Sequence, residues 1–268
     1  MGAQKSGTSS LVRFLSNFQQ HIFMHPRELH FWNRESEYQD GAGLSKYLEN
    51  FKSADESRIN GEKTPGYLST PEVPERVFKH FPKTKIIAII RDPADRAYSA
   101  YWHGKRVGAI PSNASFGEVI RNFERGPKKS WEDVVTNGFY SQQLARYTDN
   151  FPSNQIKLVG FESVLKNSSS ELESTLQFLV GDSVRRIDTK VFSFPKYNVA
   201  RKSRFPVLNR FIYKSKLFAA PTKNELIRKT LVEFKPPEMK LEDRNFLKEL
   251  YSEEASNINQ TFGTKFDW

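Results

Sequence analysis

Apolar side chains near the start of the chain recur with a helical period. Leu11, Phe14, Leu15 and Phe18 stand at positions i, i+3, i+4 and i+7, so they predict an amphipathic helix. The helix follows a polar, glycine-framed segment, GAQKSGTS, at positions 2–9. A glycine-rich loop at a helix start offers backbone N–H groups and the positive end of the helix dipole. The pattern therefore predicts an anion-binding loop.

The strongest strand prediction lies at residues 85–90 (KIIAII). A continuous aliphatic run without polar alternation is typical of a parallel strand that is covered on both faces. Arg91, Asp92 and Pro93 follow at once, and the Asp-Pro pair favours a helix start. Ligands in open α/β folds bind at the carboxyl ends of the strands, so Arg91 is a candidate ligand-binding residue.

Shorter patterns complete an alternation of strands and helices. Thr70 and Pro71 predict the N-cap and the first residue of a helix that ends near residue 81. The other predicted elements are strands at 21–24, 58–63 and 155–161 and helices at 41–51, 93–101, 116–123, 138–150, 170–180, 224–233 and 241–256. Residues 107–137 are predicted to be an insertion with a single helix. The alternation predicts an α/β fold with a P-loop-like central parallel β-sheet flanked by helices, in one domain over residues 1–268.

Composition narrows the classes of partner. The 268 residues carry 41 Lys and Arg against 31 Asp and Glu, and the net charge of +10 favours an anionic ligand. The absence of cysteine excludes disulfides, cysteine-ligated zinc and a thiol nucleophile. No run of 18 apolar residues and no signal peptide are visible, so we predict a soluble, cytoplasmic protein without a transmembrane segment. We further predict no specific nucleic-acid partner and a monomer or weak dimer.

The spacing of Gly2 and Gly7 matches a Walker P-loop, but the position of the lysine does not. A nucleoside-triphosphate loop has Lys directly after its second glycine, whereas this chain has Thr8 there and Lys5 two residues before Gly7. The strong strand also ends in Arg91 instead of a magnesium-binding Asp. A P-loop kinase is therefore an alternative that these two features disfavour.

Two segments together resemble the nucleotide site of the sulfotransferases, enzymes that use 3′-phosphoadenosine 5′-phosphosulfate (PAPS). The loop at 2–9 is similar to their 5′-phosphosulfate loop, and residues 89–93, with Arg96, Tyr98 and Ser99 after them, are similar to their 3′-phosphate site. Segments at 25–32, 61–67, 138–144, 151–156 and 262–263 resemble the heparan-sulfate and related carbohydrate branch. The resemblance covers nearly the whole chain.

The resemblance implies PAPS as cosubstrate, 3′,5′-bisphosphoadenosine (PAP) as product and no metal. It implies that an Arg and a Ser eight residues later hold the 3′-phosphate, and a basic loop near the C-terminus covers the nucleotide. The cofactor-binding residues that it implies are Gln4, Lys5, Ser6, Gly7, Thr8, Ser9, Arg91, Ser99, Tyr197, Arg201 and Lys202. Lys5 is suited to neutralise the charge on the leaving group and is therefore also a candidate catalytic residue.

Transfer to a hydroxyl needs a base. Glu28 matches the base of the carbohydrate branch, and His30 matches the histidine of small-molecule sulfotransferases; we favour Glu28 and leave His30 open. Lys63 resembles a family lysine near the reaction centre. The alternative for Lys63 is an ion pair with Glu62 or with a surface acid.

The expected function is transfer of the sulfuryl group from PAPS to a hydroxyl or amine of an acceptor, and we favour a carbohydrate as the acceptor.

The family has a strand directly before its phosphosulfate loop, whereas only Met1 precedes Gly2 here, so we expect a truncated or missing first strand. The basic loop at 196–204 looks more like soluble bacterial-type members. A truncated, inactive sulfotransferase-like protein that only binds polyanions is the non-enzymatic alternative.

Overall fold

The computed structural model describes residues 1–38, 41–52, 57–127, 129–166, 168–181, 194, 202–203 and 233–268. They group into two compact units, of which the first combines Met1–Asp92, Tyr140–Asn198 and Glu253–Asp267. The second combines Pro93–Phe139 with Val199–Ser252 and Trp268. The assignment of a single domain stays a prediction.

Helices and short strands alternate along the described residues. The strands are β1 (Ile22–Met24), β2 (Ile59–Gly61), β3 (Ile86–Ile90), β4 (Ile156–Gly160), β5 (Lys202–Ser203) and β6 (Glu233–Phe234). The helices are α1 (Thr8–Leu15), α2 (Glu35–Tyr38), α3 (Gly41–Glu49), α4 (Val73–His80), α5 (Pro93–Val107), α6 (Phe116–Arg121), α7 (Lys129–Thr136), α8 (Tyr140–Thr148), α9 (Phe161–Lys166), α10 (Ser168–Val180), α11 (Leu241–Leu250) and α12 (Glu254–Phe262). Two 3₁₀ turns lie at Pro65–Tyr67 and Ser153–Gln155.

The first unit contains two parallel strand pairs. β1 pairs with β2 from Ile22 opposite Ile59, and β3 pairs with β4 from Ile86 opposite Ile156. Gly2 adds an isolated parallel bridge to Ile89. Parallel pairs need crossover connections, and helices supply them here, so the predicted α/β class with parallel strands flanked by helices is confirmed.

The apolar stripe predicted near the chain start packs into the core of this unit. α1 contributes Leu11, Phe14 and Leu15, and Phe18 follows it. Their buried neighbours come from β1, β3, β4 and α10: Ile22, Ile89, Val159, Leu172, Leu176 and Leu179. This packing fixes α1, and with it the loop that precedes α1, beside the carboxyl end of β3.

The second unit has a helical core of its own. The prediction of a single helix in residues 107–137 is wrong, because both α6 and α7 form there. Apolar side chains of both helices are fully buried, among them Phe116, Val119, Ile120, Trp131 and Val135. A capping box, in which Ser115 and Glu118 each satisfy the other's backbone N–H, starts α6.

Two helix boundaries differ from the prediction. Thr70 and Pro71 do not open α4, because the Thr70 hydroxyl donates to the Gly66 carbonyl oxygen at 2.9 Å and a turn continues to Glu72. The single helix predicted at 241–256 is divided into α11 and α12 by a turn after Tyr251. Of the helix predicted at 224–233, only Glu233 lies within the described residues, and it belongs to β6.

Among the described residues, no helix combines the length and apolarity that a membrane crossing requires.

Candidate functional site

The glycine-framed loop turns sharply into α1. Gly7 is the N-cap of α1 and has a φ of 88°, a left-handed conformation that glycine adopts without a steric penalty. Lys5 also has a positive φ, 74°, which is uncommon for a residue with a side chain. Ala3 donates its N–H to the Ile89 carbonyl oxygen at 2.9 Å, so β3 anchors the loop.

Gly7 has a second reason to be glycine. A Cβ atom at Gly7 would lie 2.7 Å from Cδ2 of Phe161, which follows β4. The ring of Phe161 therefore packs directly against the loop and leaves no space for a side chain at position 7. The hydroxyl of Ser6 is buried in the same turn and has no hydrogen-bond partner among the described residues.

Three of the four predicted catalytic side chains meet after the parallel strands β1 and β2. The Lys63 ammonium lies 2.6 Å from Oε1 of Glu28 and 3.2 Å from the hydroxyl of Ser9 on α1. The other Glu28 oxygen, Oε2, lies 3.4 Å from Nε2 of His30. Of the two partners predicted for Lys63, Glu62 or another acid, the structure shows the second, and the acid is Glu28.

The three side chains of this cluster differ in their exposure to solvent. The side chain of Lys63 is 15% exposed, whereas Glu28 and His30 are 38% and 32% exposed. An incoming acceptor can therefore reach the carboxylate of Glu28 and the imidazole of His30. Lys63 lies deeper and contacts both Glu28 and Ser9 at the start of α1. The arrangement is suited to proton transfer next to a bound anion.

Arg91 lies in a second cluster, after β3 and β4. Its Nε atom is 3.8 Å from Oε1 of Glu162, and its guanidinium carbon lies 5.0 Å from the centroid of the Phe161 ring. The Tyr140 hydroxyl donates to the Arg91 carbonyl oxygen at 3.0 Å, and the Asp92 N–H donates to Glu162 at 3.3 Å. The backbone and the side chain of Arg91 are thus both held in place.

Burial raises the pKa of Glu162, and the Asp92 N–H and the Arg91 charge act in the opposite direction. Sequence reasoning missed Phe161 and Glu162. The signal was available, because Phe161 ends the strand predicted at 155–161 and Glu162 follows it, at the sheet edge where ligands bind.

The second residue predicted to bind the 3′-phosphate, Ser99, belongs to the second unit. Ser99 is buried on α5 in the second unit, where Arg96 is 0% exposed and donates to the carbonyl oxygens of Asp133 and Val134. Tyr197 and Arg201 lie outside the described residues, and Lys202 is described only as part of β5. Their roles, like those of the loop residues Gln4–Ser9, stay predictions. In the described ranges, no group of three or more His, Asp or Glu could hold a metal ion.

Comparison with known proteins decides the family. A sulfotransferase domain model matches residues 1–259 of the 268. The chain belongs to the sulfotransferase family. The family predicted from the phosphosulfate loop and the Arg91 segment is thereby confirmed, and so is the predicted enzyme class at the level of the family.

Curated sulfotransferases of animals match the larger part of the chain. Human heparan sulfate glucosamine 3-O-sulfotransferase 6 is 29% identical over 185 residues, which cover 67% of this chain and 50% of the relative. Human bifunctional heparan sulfate N-deacetylase/N-sulfotransferase 2 is 28% identical over 197 residues, which cover 67% of this chain and 21% of the relative. The match therefore spans half or less of the length of these relatives.

Solved sulfotransferases share the fold. The sulfotransferase from Alicyclobacillus acidocaldarius superimposes with a TM-score of 0.70 at 21% identity and covers 99% of this chain and 95% of its own. Mouse sulfotransferase SULT7A1, solved with PAP, has a TM-score of 0.55 at 17% identity and covers 98% of this chain and 86% of its own. At these identities the comparison establishes the fold alone.

Proposed function

We propose that the chain transfers a sulfuryl group from PAPS to a hydroxyl or amine of a carbohydrate acceptor. The observation that carries the proposal is the contact chain from Ser9 through Lys63 to Glu28, with distances of 3.2 and 2.6 Å. It joins the start of α1, where an anion is expected, to a carboxylate that an acceptor can reach. A cation between the two is the arrangement that in-line transfer of a charged group requires.

The loop residues fit a bound phosphosulfate. Among the described residues, the N–H groups of Gly7, Thr8 and Ser9 donate to no backbone carbonyl. They stand at the start of α1, where the helix dipole favours an anion. The buried, unpartnered hydroxyl of Ser6 belongs to the same turn. The turn therefore offers several donors that the described residues do not use.

The proposed chemistry divides between two lysines and one base. When bound, PAPS supplies an activated sulfuryl group on a phosphate leaving group. Glu28 accepts the proton that the acceptor hydroxyl releases, and His30 beside it is the alternative base. Lys63 holds positive charge between Glu28 and the loop, and Lys5 holds it at the leaving group, so both offset negative charge as it develops.

Three further observations support the donor and the acceptor. The names of the relatives describe action on heparan sulfate, and a fold neighbour was solved with PAP. The net charge of +10 favours an anionic ligand. We propose that Arg91 and Ser99 bind the 3′-phosphate and that Tyr197, Arg201 and Lys202 contribute from the C-terminal loop. A soluble, cytoplasmic protein and a monomer or weak dimer stay predictions.

Calorimetric titration with PAP and with AMP tests the nucleotide assignment. A charge-assisted hydrogen bond contributes about 1.5–3 kcal/mol, so PAP should bind at least about tenfold more tightly than AMP. Arg91→Ala should remove most of this difference. Arg58→Ala is the matched control, because it removes the same charge from an arginine that donates to the Gln19 carbonyl oxygen at 3.0 Å and that we do not assign to the nucleotide. Equal affinities of the unmodified protein for PAP and AMP would refute the assignment.

A further inference from the structure

Glu62 gathers three hydroxyl groups around one carboxylate. Oε1 accepts hydrogen bonds from Tyr67 at 2.8 Å and from Tyr47 at 3.2 Å, and Oε2 accepts one from Thr64 at 3.0 Å. Burial raises the pKa of both tyrosines, with the Glu62 charge as a second cause, so both hydroxyls keep their protons. Glu62 therefore receives three donors.

The same hydroxyls hold the backbone of the segment that carries Glu28. His30 donates its N–H to the Thr64 hydroxyl at 3.3 Å, and Trp32 donates its N–H to the Tyr67 hydroxyl at 3.4 Å. The Trp32 ring also packs edge-on against the Tyr47 ring, with ring centroids 5.1 Å apart.

A hydroxyl has one proton and two acceptor lone pairs. Because the carboxylate takes the protons of Thr64 and Tyr67, their lone pairs remain for the N–H groups of His30 and Trp32. A neutral amide in place of the Glu62 carboxylate could itself donate a hydrogen bond. The hydroxyls could then rotate and point their protons away from position 62. The charge of Glu62 thus sets the direction of the whole network.

The held segment has a backbone conformation that needs support. His30 has a φ of 58°, in the left-handed region that residues with side chains seldom adopt. Such a residue keeps its conformation when the surrounding structure fixes it. Thr64, which receives the His30 N–H, is 0% exposed and follows β2 closely, so it is a firm support.

We propose that Glu62 is a positioning residue of the transfer reaction: through Thr64 and Tyr67 it holds the backbone of His30 and Trp32, and thereby holds Glu28 against Lys63. This inference rests on the proposed function for its effect on catalysis. Glu62 and Lys63 are adjacent in the chain, so one short segment after β2 contributes both the hydroxyl network and the cation that contacts Glu28.

The test measures amide exchange and catalysis on the same variants. In Glu62→Ala, the amides of His30 and Trp32 should exchange at least about tenfold faster than in the unmodified protein, because their acceptors lose orientation. The kcat should fall at least about tenfold, since small misplacements of a reacting group are costly. The affinity for PAP should stay within about twofold, because the hydroxyls that Glu62 binds belong to Tyr47, Thr64 and Tyr67 and not to the loop that we assign to the nucleotide.

Glu254→Ala is the matched control. Glu254 is a second carboxylate of the first unit that is held by hydrogen bonds: it is buried, whereas Glu62 is half-buried, and it accepts the N–H and the hydroxyl of Ser141, both at 2.8 Å. Its removal should lower the melting temperature without accelerating exchange at His30 or Trp32. Equal effects of the two variants on these amides and on kcat would show general loosening and would overturn the proposal.

A milder pair keeps the proposal testable if Glu62→Ala does not fold. Thr64→Val removes the hydroxyl and keeps the shape, so exchange at His30 should accelerate; Thr64→Ser keeps the hydroxyl and should hold exchange within about twofold. Unchanged exchange in Thr64→Val and Glu62→Gln would overturn the proposal, as would faster exchange with unchanged kcat. If the unmodified protein transfers no sulfate to any acceptor, the proposed function fails, and the exchange rates still decide whether Glu62 holds the segment.

Discussion

Two cation–carboxylate clusters lie at the carboxyl ends of the two parallel strand pairs, and they are built differently. After β1 and β2, Lys63 and Glu28 are in direct contact at 2.6 Å. After β3 and β4, Nε of Arg91 and Oε1 of Glu162 are 3.8 Å apart. The first is a close ion pair with hydrogen-bond geometry, whereas the second distance is too long for a hydrogen bond.

The groups that surround the two clusters also differ. The Lys63–Glu28 pair has His30 and the hydroxyl of Ser9 as neighbours, which are groups that exchange or donate protons. Around Arg91, Phe161 supports the guanidinium and the Glu162 carboxylate is occupied with the Asp92 N–H. We infer that the first cluster serves the transfer step and that the second serves nucleotide binding. Mutations in the two clusters should therefore separate rate from affinity.

The largest effect is expected for Glu28→Gln, which keeps the shape and removes the basicity. Loss of a general base typically costs about 10²–10⁴-fold in rate, so turnover should fall at least about a hundredfold while the affinity for PAP stays normal. Glycan, aminoglycan and phenol acceptors are screened first, and sulfate transfer is then measured. Glu49→Gln is the control, since Glu49 forms an exposed ion pair with Lys52 at 3.1 Å.

His30→Ala decides between the two candidate bases. If His30 only shapes the cluster through its 3.4 Å contact with Glu28, its removal should be milder than that of Glu28. An inactive His30→Ala together with an active Glu28→Gln would make His30 the base. The acceptor assignment would then lose its main chemical support.

The next effect is expected for Lys5→Ala, at the boundary between binding and catalysis. If Lys5 neutralises the leaving group, kcat should fall by about 10²–10³-fold, and PAP binding should weaken much less. Single-turnover rates and calorimetry measure the two quantities separately. A variant with normal kcat and only a raised KM would show that Lys5 contributes binding charge alone. Lys52→Ala removes an equal charge from the surface ion pair and should leave both quantities unchanged.

The comparison also shows how far sequence reasoning extends. The aliphatic run at 85–90 predicted β3, because a strand covered on both faces leaves a continuous apolar signal. The glycine spacing and the helical stripe predicted the turn into α1 in the same way, because both are local patterns. The strand and the loop–helix start therefore followed from short stretches of sequence, whereas nucleotide binding by these segments stays a prediction.

The pairing within each cluster was beyond the same reasoning. Glu28 and Lys63 are 35 positions apart, and only the parallel register of β1 and β2 brings them together. Sequence alone offered Lys63 its neighbour Glu62, but Glu62 is engaged with the hydroxyls of Tyr47, Thr64 and Tyr67. Long-range contacts of this kind depend on strand pairing, which single-sequence patterns do not encode.

The smallest effect is expected at Glu162 and concerns stability. Because burial raises its pKa above the ordinary 4.5, the folded protein holds this proton more tightly than the unfolded chain does. The stability contributed by the protonated form is complete below 4.5 and is lost as the pH rises through the folded pKa. Glu162→Gln has no such proton, so its melting temperature relative to the unmodified protein should rise over this pH range.

Differential scanning calorimetry from about pH 4 to pH 7 measures this difference, and Glu37→Gln, on an exposed face of α2, corrects for general charge effects. A difference that stays constant with pH would mean that Glu162 titrates alike in the folded and unfolded chain. Arg91 would then neutralise it despite the 3.8 Å separation, and the second cluster would be an ion pair like the first. A difference that grows with pH supports the distinction, because Arg91 then compensates the Glu162 charge only in part in the folded protein.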